Sequence, residues 1–199
     1  MKYPKLRELK EAVRALIKGP YTSKFPYQPH TPFERFRGRP EFHEEDCVGC
    51  GACANVCPAR AIDIQDIKNK RVLTVNWNLC IFCGQCQANC ITGKGIILSN
   101  IFDLATTGSK DELKQTIEKE LAVCDCCAES IVPYDQIFWV AQKIGPLCFA
   151  NPSLISFYLK VLGLASKDRP SPKEEMEPGR SGRMKVLCPR CRREAVLKS

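Results

Sequence analysis

Apolar positions along this chain follow two different periods. Near the start, Leu6, Leu9, Val13, Leu16 and Ile17 recur at three- and four-residue spacing, flanked by Lys5, Arg7, Lys10, Arg14 and Lys18. The spacing predicts an amphipathic helix over residues 2–18, ended by Gly19-Pro20. Its stripe either packs on its own domain or lies on a membrane surface or membrane subunit. Further on the period drops to two. Ala61-Ile62-Asp63-Ile64 and Arg71-Val72-Leu73-Thr74-Val75 alternate about a polar turn at Lys68-Asn69-Lys70, which predicts a β-hairpin, and Gly95-Ile96-Ile97-Leu98 reads as another strand. Leu113, Ile117 and Leu121 then stand four apart behind Ser109, a suitable N-cap. Asp111 and Glu112 suit the positive end of a helix dipole, so a helix is expected over 110–121. Two more helices are expected over 135–144 and 153–164, separated by Gly145-Pro146 and Asn151-Pro152.

Between these elements the chain changes character. Residues 20–40 hold five prolines, which fix φ and remove backbone donors, so this stretch is extended. Tyr21, Phe25, Tyr27, Phe33 and Phe36 give it more apolar anchors than a disordered linker carries, which suggests an ordered strap over a partner. Residues 144–159 are uncharged, but they are shorter than a membrane span and interrupted by two prolines and an asparagine. Residues 166–185 are charged and rich in Pro, Gly and Ser, as a mobile loop would be.

Fourteen cysteines alter the picture. The first twenty residues lack the apolar core and small-residue cleavage site of an export signal, so the cysteines read as metal ligands rather than disulfides. Cys47, Cys50, Cys53 and Cys57 recur as Cys80, Cys83, Cys86 and Cys90, each offset by 33 residues. Three cysteines at two-residue gaps let one tight loop wrap three corners of an iron–sulfur cubane, and Gly49, Gly51 and Ala52 keep that loop slim. In the two-cluster pattern the fourth cysteine serves the other cluster. This assigns Cys47, Cys50, Cys53 and Cys90 to one [4Fe–4S] cluster and Cys80, Cys83, Cys86 and Cys57 to the second. Ile62, Ile64, Val72, Val75, Ile81, Phe82, Ile91 and Ile96 are candidates to wall the clusters from water. Proline follows Cys57, whereas Ile91 follows Cys90, so the second turn departs from the first.

A second set of cysteines lies beyond. Cys124-Asp125-Cys126-Cys127 and Cys188-Pro189-Arg190-Cys191 each contain a Cys-x2-Cys pair, and two such pairs make a tetrahedral all-sulfur site. Cys124, Cys127, Cys188 and Cys191 are the expected zinc ligands, with Cys126 a possible substitute. A rubredoxin-like single iron suits the same ligands, and free thiols are the plainer alternative. The intervening helices would be an insertion between two knuckles. Cys148 is left over as a buried core residue. His30 and His43 show no ligand spacing. No Ser/His/Asp set, paired catalytic carboxylates or phosphate-cradling loop is evident, so no catalytic site and no small-molecule substrate are expected.

Charge bears on partners. The formal net charge is +8, and residues 1–40 alone hold +7. Two clusters and a four-thiolate zinc site each carry roughly −2, which would leave the loaded protein near about +2. The basic balance is therefore weak evidence for nucleic acid. Arg190, Arg192 and Arg193 read as a solvated basic edge beside a helix-poor tail, since no aromatic stacking set accompanies them.

These residues resemble a known family. Phe36-Arg37-Gly38-Arg39-Pro40, the two cysteine runs, and Cys80-Ile81-Phe82-Cys83-Gly84-Gln85-Cys86 are similar to the two-cluster ferredoxin subunit of respiratory complex I and its relatives. Leu121-Ala122-Val123-Cys124-Asp125-Cys126-Cys127 and Leu187-Cys188-Pro189-Arg190-Cys191 narrow the match. They resemble the polyferredoxin subunit of formate hydrogenlyase-type membrane-bound [NiFe] hydrogenases, departing from its spacing around Cys126.

The resemblance implies an electron-transfer subunit with no catalysis of its own. It would relay electrons between a redox donor module, such as formate dehydrogenase, and the small and large [NiFe]-hydrogenase subunits of an H2-evolving complex. The N-terminal helix would dock on membrane-arm subunits, at the cytoplasmic side of the cell membrane. The alternatives are the equivalent subunit of an NADH-, ferredoxin- or quinone-linked complex I relative, a free soluble ferredoxin, and a nucleic-acid-binding protein with structural Fe–S and zinc sites.

The expected fold is α+β, in three parts. Residues 1–40 form the amphipathic helix and docking strap. Residues 41–105 form a bacterial-type 2[4Fe–4S] ferredoxin core. Residues 106–199 form a helical, zinc-ribbon-like extension with the four-cysteine metal site.

Overall fold

A computed structural model describes residues 5–19, 21–164 and 185–197 of the chain. It divides into two units, Met1–Phe36 and Arg37–Ser199. The expected mobile loop over 166–185 lies, except for Lys185, outside the described residues.

In the first unit, α1 (Leu6–Lys18) is an amphipathic helix whose N-terminus is closed by Glu8. The Glu8 carboxylate accepts a 3.1 Å hydrogen bond from the Lys5 amide, satisfying one donor that the first helical turn leaves open. Gly19 ends it at φ 78°. Leu6, Leu16 and Ile17 of its stripe are exposed, as are all five aromatics of the strap.

The second unit is a mixture of strands and helices. β1 (Pro40–Phe42) pairs antiparallel with β4 (Ile96–Leu98). β2 (Ile62–Ile67) and β3 (Lys70–Asn76) form the expected hairpin around Lys68-Asn69, with Lys68 in the left-handed region at φ 57°. Two short helices, α2 (Ala52–Asn55) and α3 (Gln85–Ala88), carry the repeat. Each is entered through a left-handed glycine, Gly51 at φ 79° and Gly84 at φ 80°.

The expected helix over 110–121 is not formed. Residues Lys110–Leu113 make a single 3-10 turn capped by the Ser109 hydroxyl, which accepts from the Asp111 amide. The chain then runs as β5 (Lys114–Val123), a ten-residue strand antiparallel to β3, and β6 (Ser130–Pro133) pairs on its far side. The four-strand order is β2-β3-β5-β6. The physical reason lies in the spacing. Residues four apart share a helix face, but they also share a strand face, because four is an even number. Ile117, Lys119 and Leu121 are buried while Thr116, Glu118 and Glu120 are exposed, which is the strand period. The free edge of β3 decided between the two readings by offering ladder hydrogen bonds along the whole segment.

Downstream, α4 (Tyr134–Ile144) and α5 (Pro152–Val161) match expectation. Asn151 caps α5 by accepting from the Ser153 and Leu154 amides. α6 (Pro189–Leu197) was not foreseen. The tail beside the last cysteine pair is helical, and its basic edge is not wholly solvated. Arg192 donates to the Ser153 hydroxyl and to the Lys185 carbonyl, the latter at 2.8 Å.

Three buried clusters hold the unit together. One joins Phe42, Leu73, Val75, Trp77, Ile96 and Ile117 at the centre of the repeat. A second surrounds Cys124, Leu187, Cys188 and Cys191, and a third packs Ala122, Phe157 and Val186. The Trp77 indole donates to the Pro40 carbonyl at 2.7 Å, which satisfies its buried N–H, and the Arg39 guanidinium lies 4.2 Å from its ring centroid.

Candidate functional site

None of the fourteen cysteines forms a disulfide, and twelve of them gather in three places. Cys47, Cys50, Cys53 and Cys90 line one recess. Cys57, Cys80, Cys83 and Cys86 line another. In each recess three thiols come from one loop and the fourth from the other half of the repeat. The exchange follows from local structure. Each loop enters a one-turn helix through its left-handed glycine, and the fourth cysteine comes after that helix, where the chain has already turned away.

The lining corrects part of the expected wall. Ile96 and Ile91 face the first recess, and Ile62, Ile81 and Phe82 face the second. Val72 faces neither; its neighbour Leu73, fully buried, faces the first. The cause is strand alternation, since Leu73 and Val75 point inward and Val72 does not. Val75 and Ile64 are packed in or against the central cluster without lining a recess. Ile81, at 62% exposure, cannot seal its side from water.

The donor chemistry fits iron–sulfur clusters. Backbone amides point at sulfurs: Ala61 at the Cys57 Sγ (3.3 Å) and Phe82 at the Cys80 Sγ (3.4 Å). Burial pushes the Cys53 thiol up to about 12 and the Cys86 thiol up to about 11, with neighbouring thiolates adding to the effect. Such thiols keep their protons in neutral water unless a cation displaces them, which is the behaviour of buried metal ligands. At Cys90 burial is outweighed by the Thr92 hydroxyl and the amides of Thr92, Gly95 and Ile96, which hold that thiol below its ordinary value.

The two loops are alike in backbone and differ in what covers them. Gly49 (φ 67°) and Phe82 (φ 54°) are equivalent by the 33-residue offset and share the left-handed conformation. A Cβ on Gly49 would lie 3.0 Å from the Pro133 side chain and 3.1 Å from that of Lys119, so β5 and β6 roof the first loop. The Gly49 carbonyl accepts from Arg71 at 3.1 Å, and Arg71 also pairs with Asp66 at 2.8 Å. At the second loop the Cys83 carbonyl accepts from the exposed Arg37 at 3.1 Å.

Residues 31–94 match the family described as 4Fe-4S dicluster domain. The match, over about a third of the chain, supports two [4Fe–4S] clusters as its cofactors, in line with the doubled cysteine run. Formate hydrogenlyase subunit 6 of Escherichia coli is 37% identical over 116 residues, covering 57% of this chain and 63% of that protein. NAD(P)H-quinone oxidoreductase subunit I of Gloeobacter violaceus is 36% identical over 80 residues, covering 37% of this chain and 38% of the relative. The chain thus spans less than two thirds of either relative. Among solved structures, a chain of the membrane-bound sulfane sulfur reductase, an archaeal respiratory membrane complex, matches at 32% identity. Its TM-score is 0.41, over 57% of this chain and 62% of that one.

The third gathering is outside the dicluster domain. The sulfurs of Cys124, Cys127, Cys188 and Cys191 lie within 4.8 Å of one another, and Cys127 and Cys188 are 3.7 Å apart. The first pair follows β5 and the second opens α6, so the helices α4 and α5 are inserted between them. The Cys124 sulfur accepts from the amides of Cys188 (3.3 Å) and Cys126 (3.4 Å). Burial opposes ionisation of Cys124, but these amides and that of Cys127 together hold its thiol below the ordinary value. Cys126 is half-buried beside the group but not one of the four sulfurs that converge. Cys148 is buried and lines neither of the two thiol recesses.

Asp125 braces this site, and the cysteine spacing had hidden it. Its carboxylate accepts from the Val186 amide at 2.8 Å and from Lys160 at 2.9 Å, so it joins the first knuckle to α5 and to the segment leading into the second. The only sequence signal was an acid between two cysteines.

Proposed function

We propose that this chain is an electron-transfer subunit of a membrane-bound oxidoreductase complex, relaying electrons through its two clusters from a redox donor module to [NiFe]-hydrogenase subunits. The observation that carries the proposal is the pair of four-thiol recesses with exchanged fourth cysteines. The similarity to formate hydrogenlyase subunit 6 covers 116 residues, more than the dicluster match at 31–94 spans, and supports the hydrogenase assignment. Cys47, Cys50, Cys53 and Cys90 would hold the first cluster, and Cys80, Cys83, Cys86 and Cys57 the second.

When bound, each cluster supplies reversible one-electron transfer. The chain's own residues do the rest. The exchanged cysteines tie the two halves of the repeat together. Leu73, Ile96 and Ile62 exclude water from the recesses, and loop amides and the cations Arg71 and Arg37 steady the backbone.

Three further assignments belong to this reading. Cys124, Cys127, Cys188 and Cys191 would hold a structural zinc ion, which closes α6 onto β5. The exposed apolar stripe of α1 would dock on membrane-arm subunits, placing the chain peripherally at the cytoplasmic side of the membrane. No helix among the described residues is long and apolar enough to cross a membrane. Residues 1–40, 41–105 and 106–199 would serve as docking segment, electron carrier and extension.

A second reading, a subunit of a complex I relative acting with a quinone, is favoured by the similarity to NAD(P)H-quinone oxidoreductase subunit I. Gentle anaerobic purification separates the two. Co-isolation of a nickel-containing large subunit supports the first, and a nickel-free membrane complex supports the second. A protein recovered alone, without membrane partners, would overturn both.

A further inference from the structure

Lys119 is the one charged residue buried in the described part of the chain, at 9% exposure. It lies mid-strand in β5 on the face that carries Ile117 and Leu121, a position where strand alternation calls for an apolar residue. Its aliphatic stem packs over Gly49, between two ligand-bearing positions of the first loop. Its ammonium donates to the Glu44 carbonyl at 2.5 Å and to the Asp135 carboxylate of α4 at 2.9 Å. Burying a cation costs free energy unless it is paired and hydrogen-bonded, and here both conditions are met.

The placement is one-sided. Burial raises the Cys47 thiol, and the Gly49 amide and the Lys119 charge oppose that rise. Arg37, which donates to the Cys83 carbonyl of the second loop, is by contrast exposed and therefore screened by water and salt. A positive charge stabilises the more negative, reduced state of a neighbouring cluster, and does so more strongly where water is excluded.

We propose that Lys119 is a positioning and tuning residue for the first cluster. It pins residues 44–49 to the C-terminal extension, and its shielded charge sets that cluster's potential more positive than the ligand loop alone would. Asp135 acts as the counterweight: its carboxylate, 53% exposed, partly neutralises Lys119. The extension is then more than a cap on the dicluster domain, because it biases where a transferred electron rests. This rests on the two-cluster reading above.

The test is an EPR-monitored redox titration of the full chain, reconstituted anaerobically, with iron and acid-labile sulfide counted first. Wild-type protein with far fewer than about eight irons would sink the two-cluster reading itself, separately from the role of Lys119. With eight present, Lys119→Met should move one of the two midpoints negative and leave the other in place. Lys119→Arg should restore it. Asp135→Asn should move the same midpoint positive, because the ammonium loses its counter-charge. That midpoint should belong to the signal perturbed by Cys90→Ser. A purely structural lysine would give variants that lose cluster without opposite shifts. Should Lys119→Met fail to retain iron, Asp135→Asn alone decides: an unmoved or negative midpoint overturns the proposal, and a positive one supports it.

Discussion

Gln115 binds the backbone of Phe42 from both sides: its side-chain oxygen accepts from the Phe42 amide at 2.7 Å, and its nitrogen donates to the Phe42 carbonyl at 3.1 Å. One side chain thereby substitutes for a strand neighbour along β1. Phe42 is buried and lines the first recess, so this contact couples β5 to the wall of that recess.

Gln115→Ala leaves both Phe42 backbone groups without those partners. The expected cost is about 2 kcal/mol, within the usual range for buried polar groups that lose a hydrogen bond. Denaturant unfolding of the anaerobic full chain measures it. Thr116→Ala, which removes an exposed cross-strand contact to Thr74 at 3.0 Å, should cost less than about 1 kcal/mol. Equal losses for the two would show that Gln115 is not a structural link.

Gly49 and Phe82 occupy equivalent backbone positions under different roofs. Gly49→Ala should destabilise the protein by about 1–3 kcal/mol, since a left-handed conformation is costly for any side chain and Lys119 and Pro133 leave no room. Iron retention during dilution of the reconstituted protein should fall with it. Phe82→Gly relieves backbone strain, so any loss there must come from the missing lining of the second recess. If Gly49→Ala matches wild type in both stability and iron retention, the roof is not tight.

Exchange of the fourth cysteine makes a prediction that adjacency in sequence would reverse. Cys90→Ser should perturb the cluster held by Cys47, Cys50 and Cys53, and Cys57→Ser the one held by Cys80, Cys83 and Cys86. Each double variant, Cys90→Ser with Cys50→Ser or Cys57→Ser with Cys83→Ser, should still show one unaltered EPR signal. Loss of both signals in either double variant would mean that each cluster draws its fourth ligand from its own run.

At the third cysteine group, purified protein should contain one zinc per chain beyond the clusters, and Cys188→Ser should remove it. Asp125→Asn keeps all four thiols but weakens the brace to Lys160 and Val186. Zinc release to a chelator, followed by absorbance of a metal indicator, should be several-fold faster in that variant, because outer ligand supports typically change metal affinity about 10–100-fold. Zinc release at the wild-type rate would leave Asp125 with no part in holding the ion.

The doubled cysteine run, with its offset of 33 residues, was sufficient by itself to suggest the two four-thiol groups, including the crossing of Cys57 and Cys90, and the two recesses are lined by the same residues. Spacing along a chain constrains ligands when a rigid cofactor dictates their separation, and that information is local. The hairpin at Lys68-Asn69, the cap at Ser109, the helices on either side of Gly145 and the pairing of Cys124 and Cys127 with Cys188 and Cys191 were legible for the same reason. Only the tertiary structure decided that residues 114–123 form a strand. Leu113, Ile117 and Leu121 satisfy both periods, and the choice belonged to an unpaired edge on β3, forty residues earlier. The burial of Lys119 and the embrace of Phe42 by Gln115 depend on that choice. Each joins residues remote in sequence, through contacts whose free energy exists only once the chain has closed on itself.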